Sequence, residues 1–242
     1  VKNTDTWRPS KYVMTAKGLR GSRDKTEVGV GSRLVADLAA QAYESALREH
    51  ATGLLLDLGC GKVPLFGVYR QYVSDNICVD WENSVHHNEW LDLEHDLNVG
   101  IPFADDHFDT ILSTDVLEHV HNPHSLWREM ARVLKPSGKV IVGVPFLYAI
   151  HEEPHDYFRY TEYALRHLCE TSGLRVIALE PYGGLADTIL TMIARAAATK
   201  PLAGLAARAV MWIGGSRLGA VVREKTKRRY PPGYCLIGEK GA

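Results

Sequence analysis

Apolar positions along the chain recur with two different periods. From Arg33 to about Arg48, the residues Leu34, Val35, Leu38, Ala39, Ala42 and Leu47 fall at helical spacing, with Ser32 placed to cap the start. Gly53 closes that segment. Leu54-Leu55-Leu56 is then a short apolar run ended by Asp57 and glycines, the pattern of a strand buried on both faces. The same reading predicts a helix over Tyr69 to Val73, a strand over Ile77 to Val79 ending in Asp80, a strand over Phe108 to Ser113 and a helix over Pro123 to Leu134. Pro136 and Gly138 mark a turn before a strand over Lys139 to Val144, a helix over Tyr160 to Ser172 and a strand over Leu174 to Leu179. Strands alternating with helices imply an α/β fold with a doubly wound parallel sheet.

Both ends depart from that alternation. Residues 1–30 are polar and broken by Gly18, Gly21, Gly29 and Gly31, and read as loop and short helix. Residues 185–222 are rich in Ala, Leu, Ile, Met and Gly, with Arg195, Arg208 and Arg217 spaced through them, and read as two or three apolar helices. A basic run from Arg223 to Arg229 follows, and Pro231-Pro232-Gly233 leads into a final strand over Tyr234 to Gly238. The expected organisation is one domain: a helical cap over 1–52, a core over 53–184, an apolar helical insert over 185–230 and the last strand over 231–242.

Composition narrows the function classes. The 242 residues are 45% apolar and 24% charged, ordinary for a globular domain. A formal net charge of -1 provides no global field toward nucleic acid, which is disfavoured as a partner. Cys60, Cys78, Cys169 and Cys235 lie far apart without a C-x-x-C pair, against a disulfide framework or zinc site and in favour of a reducing cytoplasm. Residues 1–30 hold no apolar core of the signal-peptide kind. No apolar run reaches the ~18 residues of a spanning helix.

The first candidate site is the turn after the first core strand. A strand ending in an acidic residue and glycines is a common nucleotide-binding element, with ligand beyond the carboxyl ends of the strands. Here Asp57-x-Gly59-x-Gly61 lacks a third glycine, and Pro64 stands in its place. That disfavours a dinucleotide, whose pyrophosphate needs the close helix approach a third glycine allows. S-adenosylmethionine carries no phosphate, and its sulfonium and amino groups are cationic, so an acidic strand end suits it. Asp80 ends the next strand, about 20 residues on, where a carboxylate takes ribose hydroxyls. Asp96-Leu97 precedes the following strand, where a carboxylate can take the adenine amino group. Each acid taken singly is equally a helix cap; the three in order point to one ligand. Cofactor contacts are expected from Asp57, Gly59, Cys60, Gly61, Asp80, Trp81, Asp96, Leu97 and Asp115.

Four segments together resemble the class I S-adenosylmethionine-dependent methyltransferases: Leu55 to Gly61, Ile101-Pro102-Phe103 to Phe108-Asp109, Asp115 to Val120, and Val133 to Gly138 with Gly143. The resemblance covers about residues 53–180. It implies a Rossmann-like sheet of seven strands with the last antiparallel, a role Tyr234 to Gly238 fits. It also implies that Asp57, Gly59 and Gly61 line the methionine part of the cofactor, Asp80 the ribose and Asp96 the adenine.

Two segments bear on the acceptor. Asp115-x-x-Glu118-His119 is similar to the E-x-x-E-H pattern of metal-dependent O-methyltransferases; on a helical turn the three side chains share one face and can converge on a divalent metal. Zn²⁺ or Mn²⁺ would accept the imidazole more readily than Mg²⁺. The bland alternative is that Glu118 and His119 only shape the pocket. Residues 146–161 then place His151, His155, Tyr157 and Arg159 over the acceptor side. His119, His151 or His155 can be a general base for a hydroxyl, with Tyr157 and Arg159 orienting the acceptor. The alternative pairs Asp156 with Arg159 to fix the loop, with Tyr157 and Tyr160 in the core. The loop and residues 32–37 look like a bacterial subset that accompanies glycan or natural-product assembly, which implies a small-molecule or glycan acceptor. The insert 185–230 reads as a lid or homodimer surface, or as a peripheral membrane contact. A non-catalytic partner-binding subunit and a metal-assisted enzyme acting on nucleic acid are the alternatives to the methyl-transfer reading.

Overall fold

Seven strands form one sheet in the computed structural model, which describes all residues but 1, 3, 83–88 and 198–202 and the side chains of 203–207. A two-stranded hairpin, β1 (Tyr12–Thr15) and β2 (Gly18–Gly21), comes first. Then follow α1 (Arg33–His50), β3 (Leu54–Leu58), α2 (Phe66–Tyr69), β4 (Asp75–Asp80) and β5 (Leu93–Glu94). The centre of the chain continues with β6 (Phe108–Thr114), α3 (Pro123–Val133), β7 (Leu134–Pro145), α4 (Glu162–Thr171) and β8 (Leu174–Tyr182). Three helices, α5 (Leu185–Ala197), α6 (Ala203–Gly214) and α7 (Arg217–Thr226), precede β9 (Gly233–Lys240). Residues 198–202 of the expected insert lie outside the described residues.

The sheet runs β5-β4-β3-β6-β7-β9-β8. All neighbours from β5 to β7 are parallel, and β9 enters between β7 and β8 antiparallel to both. The expected α/β sheet of seven strands with the last one antiparallel is therefore the observed one. Central position explains the apolar runs: Leu55, Leu56 and Leu58 of β3 are wholly buried between helices on the two faces. Helix α3 packs one face with Leu126, Trp127 and Met130, and α1 packs the other with Tyr43 and Leu47.

Several local expectations need correction. Before Arg33 the chain forms short 3-10 turns at Thr4–Thr6 and Val30–Ser32 and, beyond what was expected, a hairpin, tied to α1 by Asp37, which accepts from Gly21 N–H at 3.0 Å and pairs with Arg23 at 2.7 Å. Ser32 precedes α1 without capping it; its hydroxyl is drawn instead to Tyr148 and Arg195. The helix expected over Tyr69 to Val73 lies earlier and is one turn long. Strand β5 was not anticipated, being only two residues. Pro136 and Gly138 lie within the span of β7, where the ladder to β6 shifts register between Phe108 and Thr110.

Candidate active site

The carboxyl ends of β3, β4 and β6 open into one cavity of about 390 Å³. Its first half is acidic. Asp57 is buried at the end of β3, where the Tyr69 hydroxyl donates to its Oδ2 at 3.2 Å. Burial pushes its carboxyl up to about 7. The turn that follows needs glycine: Gly59 has φ 64°, and a Cβ there would run into the Val116 side chain. The same turn lets Gly61 N–H donate to Asp80 Oδ2 at 2.9 Å, which fixes the carboxylate ending β4. Asp96 is held by Asn98, whose backbone N–H and side-chain amide donate to Oδ1 at 2.9 and 2.8 Å. Cys60, Trp81 and Leu97 line the cavity with these three acids.

Asp115 also lines the cavity, but it does not join Glu118 and His119. With φ 57° its carboxylate turns to Lys11 at 2.7 Å and to the Tyr43 hydroxyl at 3.1 Å. The expected metal trio of Asp115, Glu118 and His119 is corrected on this point. The helical turn is a 3-10 turn that begins only at Leu117, so Asp115, with its positive φ, lies outside it and does not share a face with Glu118 and His119.

The group that does converge is Glu118, His119 and His151. Glu118 is wholly buried, and neither carboxylate oxygen has a hydrogen bond among the described residues. Burial pushes its pKa up. His119 Nε2 lies 3.8 Å and His151 Nε2 3.7 Å from Glu118 Oε1, longer than hydrogen bonds. His119 Nδ1 lies 2.7 Å from the carbonyl of His155, which can only accept. Nδ1 therefore donates to that carbonyl, and the buried Nε2 has no hydrogen bond among the described residues. For His151, burial works against the imidazolium and Glu118 more than offsets it, so its pKa is raised. Both imidazoles and that of His155 line the cavity.

Tyr157 and Arg159 sit outside the cavity lining. The Tyr157 hydroxyl is hydrogen-bonded to the rings of His121 and His155, the latter at 2.9 Å, and so orients His155 rather than an acceptor. Arg159 clamps Asp156 with both terminal nitrogens, one at 2.6 Å, and donates to the carbonyls of Ala149 and Phe158. The alternative reading of Arg159 as the pin of the loop is the observed one. Sequence reasoning missed Lys11, Ser32 and Tyr148 as cavity residues. No motif marks them, because each reaches the site through contacts more than 100 residues away in sequence: Lys11 to Asp115 and Ser32 to Tyr148.

The strand order, with the last strand antiparallel, is the one that the resemblance to class I methyltransferases implies. Residues 56–142 match the methyltransferase domain family. An uncharacterized methyltransferase of Mycobacterium tuberculosis is 50% identical over 45 residues, 19% of this chain and 18% of the relative. An uncharacterized protein of Methanocaldococcus jannaschii is 42% identical over 57 residues, 22% of this chain and 28% of the relative. The chain thus spans under a third of the length of either relative. Among solved structures, a chain of the complex between the Haloferax volcanii Trm112 methyltransferase activator and a putative methyltransferase superposes with TM-score 0.56 at 21% identity, over 83% of this chain and 89% of that one. The [4+2]-cyclase SpnF does so with TM-score 0.54 at 18% identity, over 86% and 83%. A putative methyltransferase of Bacillus halodurans gives 0.55 at 13%, over 85% and 99%. At these identities the likeness is one of fold.

Proposed function

We propose that the protein transfers a methyl group from S-adenosylmethionine to a hydroxyl oxygen of a small-molecule or glycan acceptor, with His119 as the general base. The observation that carries this reading is the single cavity running from the acidic strand ends to the imidazoles. The residues suit the cofactor. Asp57, a buried carboxyl with its pKa pushed up to about 7, gains from a cationic neighbour. Asp57, Gly59 and Gly61 would hold the methionine part, Asp80 the ribose and Asp96 the adenine, with Trp81 and Leu97 beside them. When bound, S-adenosylmethionine supplies a methyl group on a sulfonium, which leaves without needing an acid.

The protein's own work is then to position the acceptor and take its proton. Positioning supplies up to roughly 7–11 kcal/mol in well-oriented reactions. His119 Nε2, oriented by the His155 carbonyl, accepts the hydroxyl proton, and the Glu118 carboxylate at 3.8 Å stabilises the imidazolium that results. Calorimetry with S-adenosylmethionine and S-adenosylhomocysteine tests the cofactor half: both should bind, and binding of neither would sink the reading. His119→Ala should keep that binding and lower kcat by about 10²–10⁴ on the acceptor.

A divalent metal is the second reading. It is favoured by the unpaired oxygens of Glu118, whose ligand atom lies with those of His119 and His151 within 4.8 Å of one another. The His119 Nδ1 bond to a carbonyl is the outer contact a metal-bound imidazole makes. One carboxylate and two imidazoles suit Zn²⁺ or Mn²⁺ better than Mg²⁺. Turnover unchanged in EDTA supports the base; turnover lost in EDTA and restored by Zn²⁺ or Mn²⁺ supports the metal.

A further inference from the structure

Helix α5 is inside out. Its buried row is Asp187, Thr188, Thr191 and Ala194, while Ile189, Met192 and Ile193, which share the opposite face, are 47%, 46% and 52% exposed. The inversion is held in place. The wholly buried Asp187 carboxylate takes two bonds from Arg223 of α7, at 2.8 and 2.7 Å, and one from Gly184 N–H at 2.9 Å. The Thr188 hydroxyl donates to the Tyr230 carbonyl at 2.7 Å. With Asp187 and Thr188 inside and hydrogen-bonded, α5 cannot roll to hide its apolar row without stranding a buried charge.

The neighbouring helices also carry exposed apolar side chains. Trp212 of α6 is 79% exposed, and Leu218 and Val221 of α7 are 74% and 51% exposed. Large side chains left in water at this density mark an interaction surface. Charge identifies the partner. Residues 185–230 contain nine Lys and Arg against two acidic residues, a net +7; the whole chain stands at -1, so the remainder carries -8. Exposed Arg208 and Arg217 precede Trp212 and Val221 by four positions, on the same helix faces.

We propose that the α5–α7 face lies on an anionic lipid bilayer, its Ile, Met, Trp, Leu and Val side chains in the acyl boundary and the exposed Arg208, Arg217 and Lys225 at the headgroups. A second copy is a poor occupant, because two faces of the same strong positive charge repel. Among the described residues no helix is long and apolar enough to cross a membrane, so the contact lies along the surface. The proposal is independent of the methyl-transfer reading.

Sedimentation of the full chain with vesicles tests it. Binding is expected to phosphatidylcholine vesicles containing phosphatidylglycerol, and little to phosphatidylcholine alone. The Trp212→Asp, Leu218→Asp double variant should weaken binding at least about tenfold, as should roughly 0.5 M salt, which shortens the screening length to a few ångströms. Both side chains are exposed, so the variant's thermal midpoint should match the parent's. No binding to either vesicle, or equal binding by the double variant, overturns the proposal. So does a dimer in light scattering that the double variant dissolves without any vesicle binding.

Discussion

Asp57 shows how one residue couples burial to cofactor binding. Burial pushes its carboxyl up to about 7, against the ordinary 3.8. A carboxyl raised in the folded state binds its proton more tightly there than in the unfolded chain. It therefore favours folding in acid, and that contribution is lost as pH rises from about 4 to about 7. A cationic ligand group reverses the preference, because it needs the carboxylate. Binding of S-adenosylmethionine should strengthen between about pH 5.5 and 7 and then level off. Calorimetry across that range checks this, and Asp57→Asn should bind more weakly and flatten the dependence below pH 7. A flat profile in the parent would remove Asp57 from the cofactor contacts.

At the scale of elements, the loop of residues 146–161 acts as a pinned strap. Tyr157 N–H donates to the Glu118 carbonyl at 2.9 Å, and the Tyr160 hydroxyl donates to that of Leu117 at the same length. Burial opposes the Asp156 carboxylate, but its bonds from Arg159 and from His151 N–H more than offset it and hold its pKa at about 2. Arg159→Ala leaves a buried carboxylate short of its charged donors, a cost of about 1–3 kcal/mol for a part-exposed arginine. The thermal midpoint should fall by a few degrees. The acceptor KM should rise as His151 and His155 loosen, while cofactor affinity holds; a change in cofactor affinity alone would contradict this role. This strap also shows where sequence reading stopped. The strands and the three acids were legible because each is a local pattern, an apolar run closed by an acid and glycine. His119 and His151 were both expected at the acceptor, but their convergence with Glu118 was not legible, because His151 arrives from 32 residues away by a fold of the loop. Asp115 was misassigned because the helical turn begins at Leu117 and not at Asp115, whose positive φ turns it toward Lys11, and Lys11 came from a segment read as loop. Hairpin β1–β2 was hidden by the glycines that form it.

Across the whole molecule, the α5–α7 helices and the cavity are joined at Arg195. Its guanidinium lies over the Tyr148 ring, 4.7 Å from the centroid, and donates to the Tyr148 and Ser32 hydroxyls at 2.7 and 2.8 Å. Tyr148 and Ser32 line the cavity. The helices are in turn fixed by the Asp187–Arg223 pair, of which the carboxylate is wholly buried. Arg223→Ala strands that charge, at a cost of about 3–5 kcal/mol for a buried pair broken on one side. The sheet does not depend on this pair, so the loss should be local. Hydrogen exchange should quicken in residues 185–197 and 217–226 while β3, β6 and β7 stay protected. With Arg195 set loose, the acceptor KM should rise and binding of S-adenosylmethionine should not change, since Asp57, Asp80 and Asp96 are carried by other elements. If protection falls across the sheet as well, α5–α7 fold as one unit with the core, and the acceptor end has no separately movable wall.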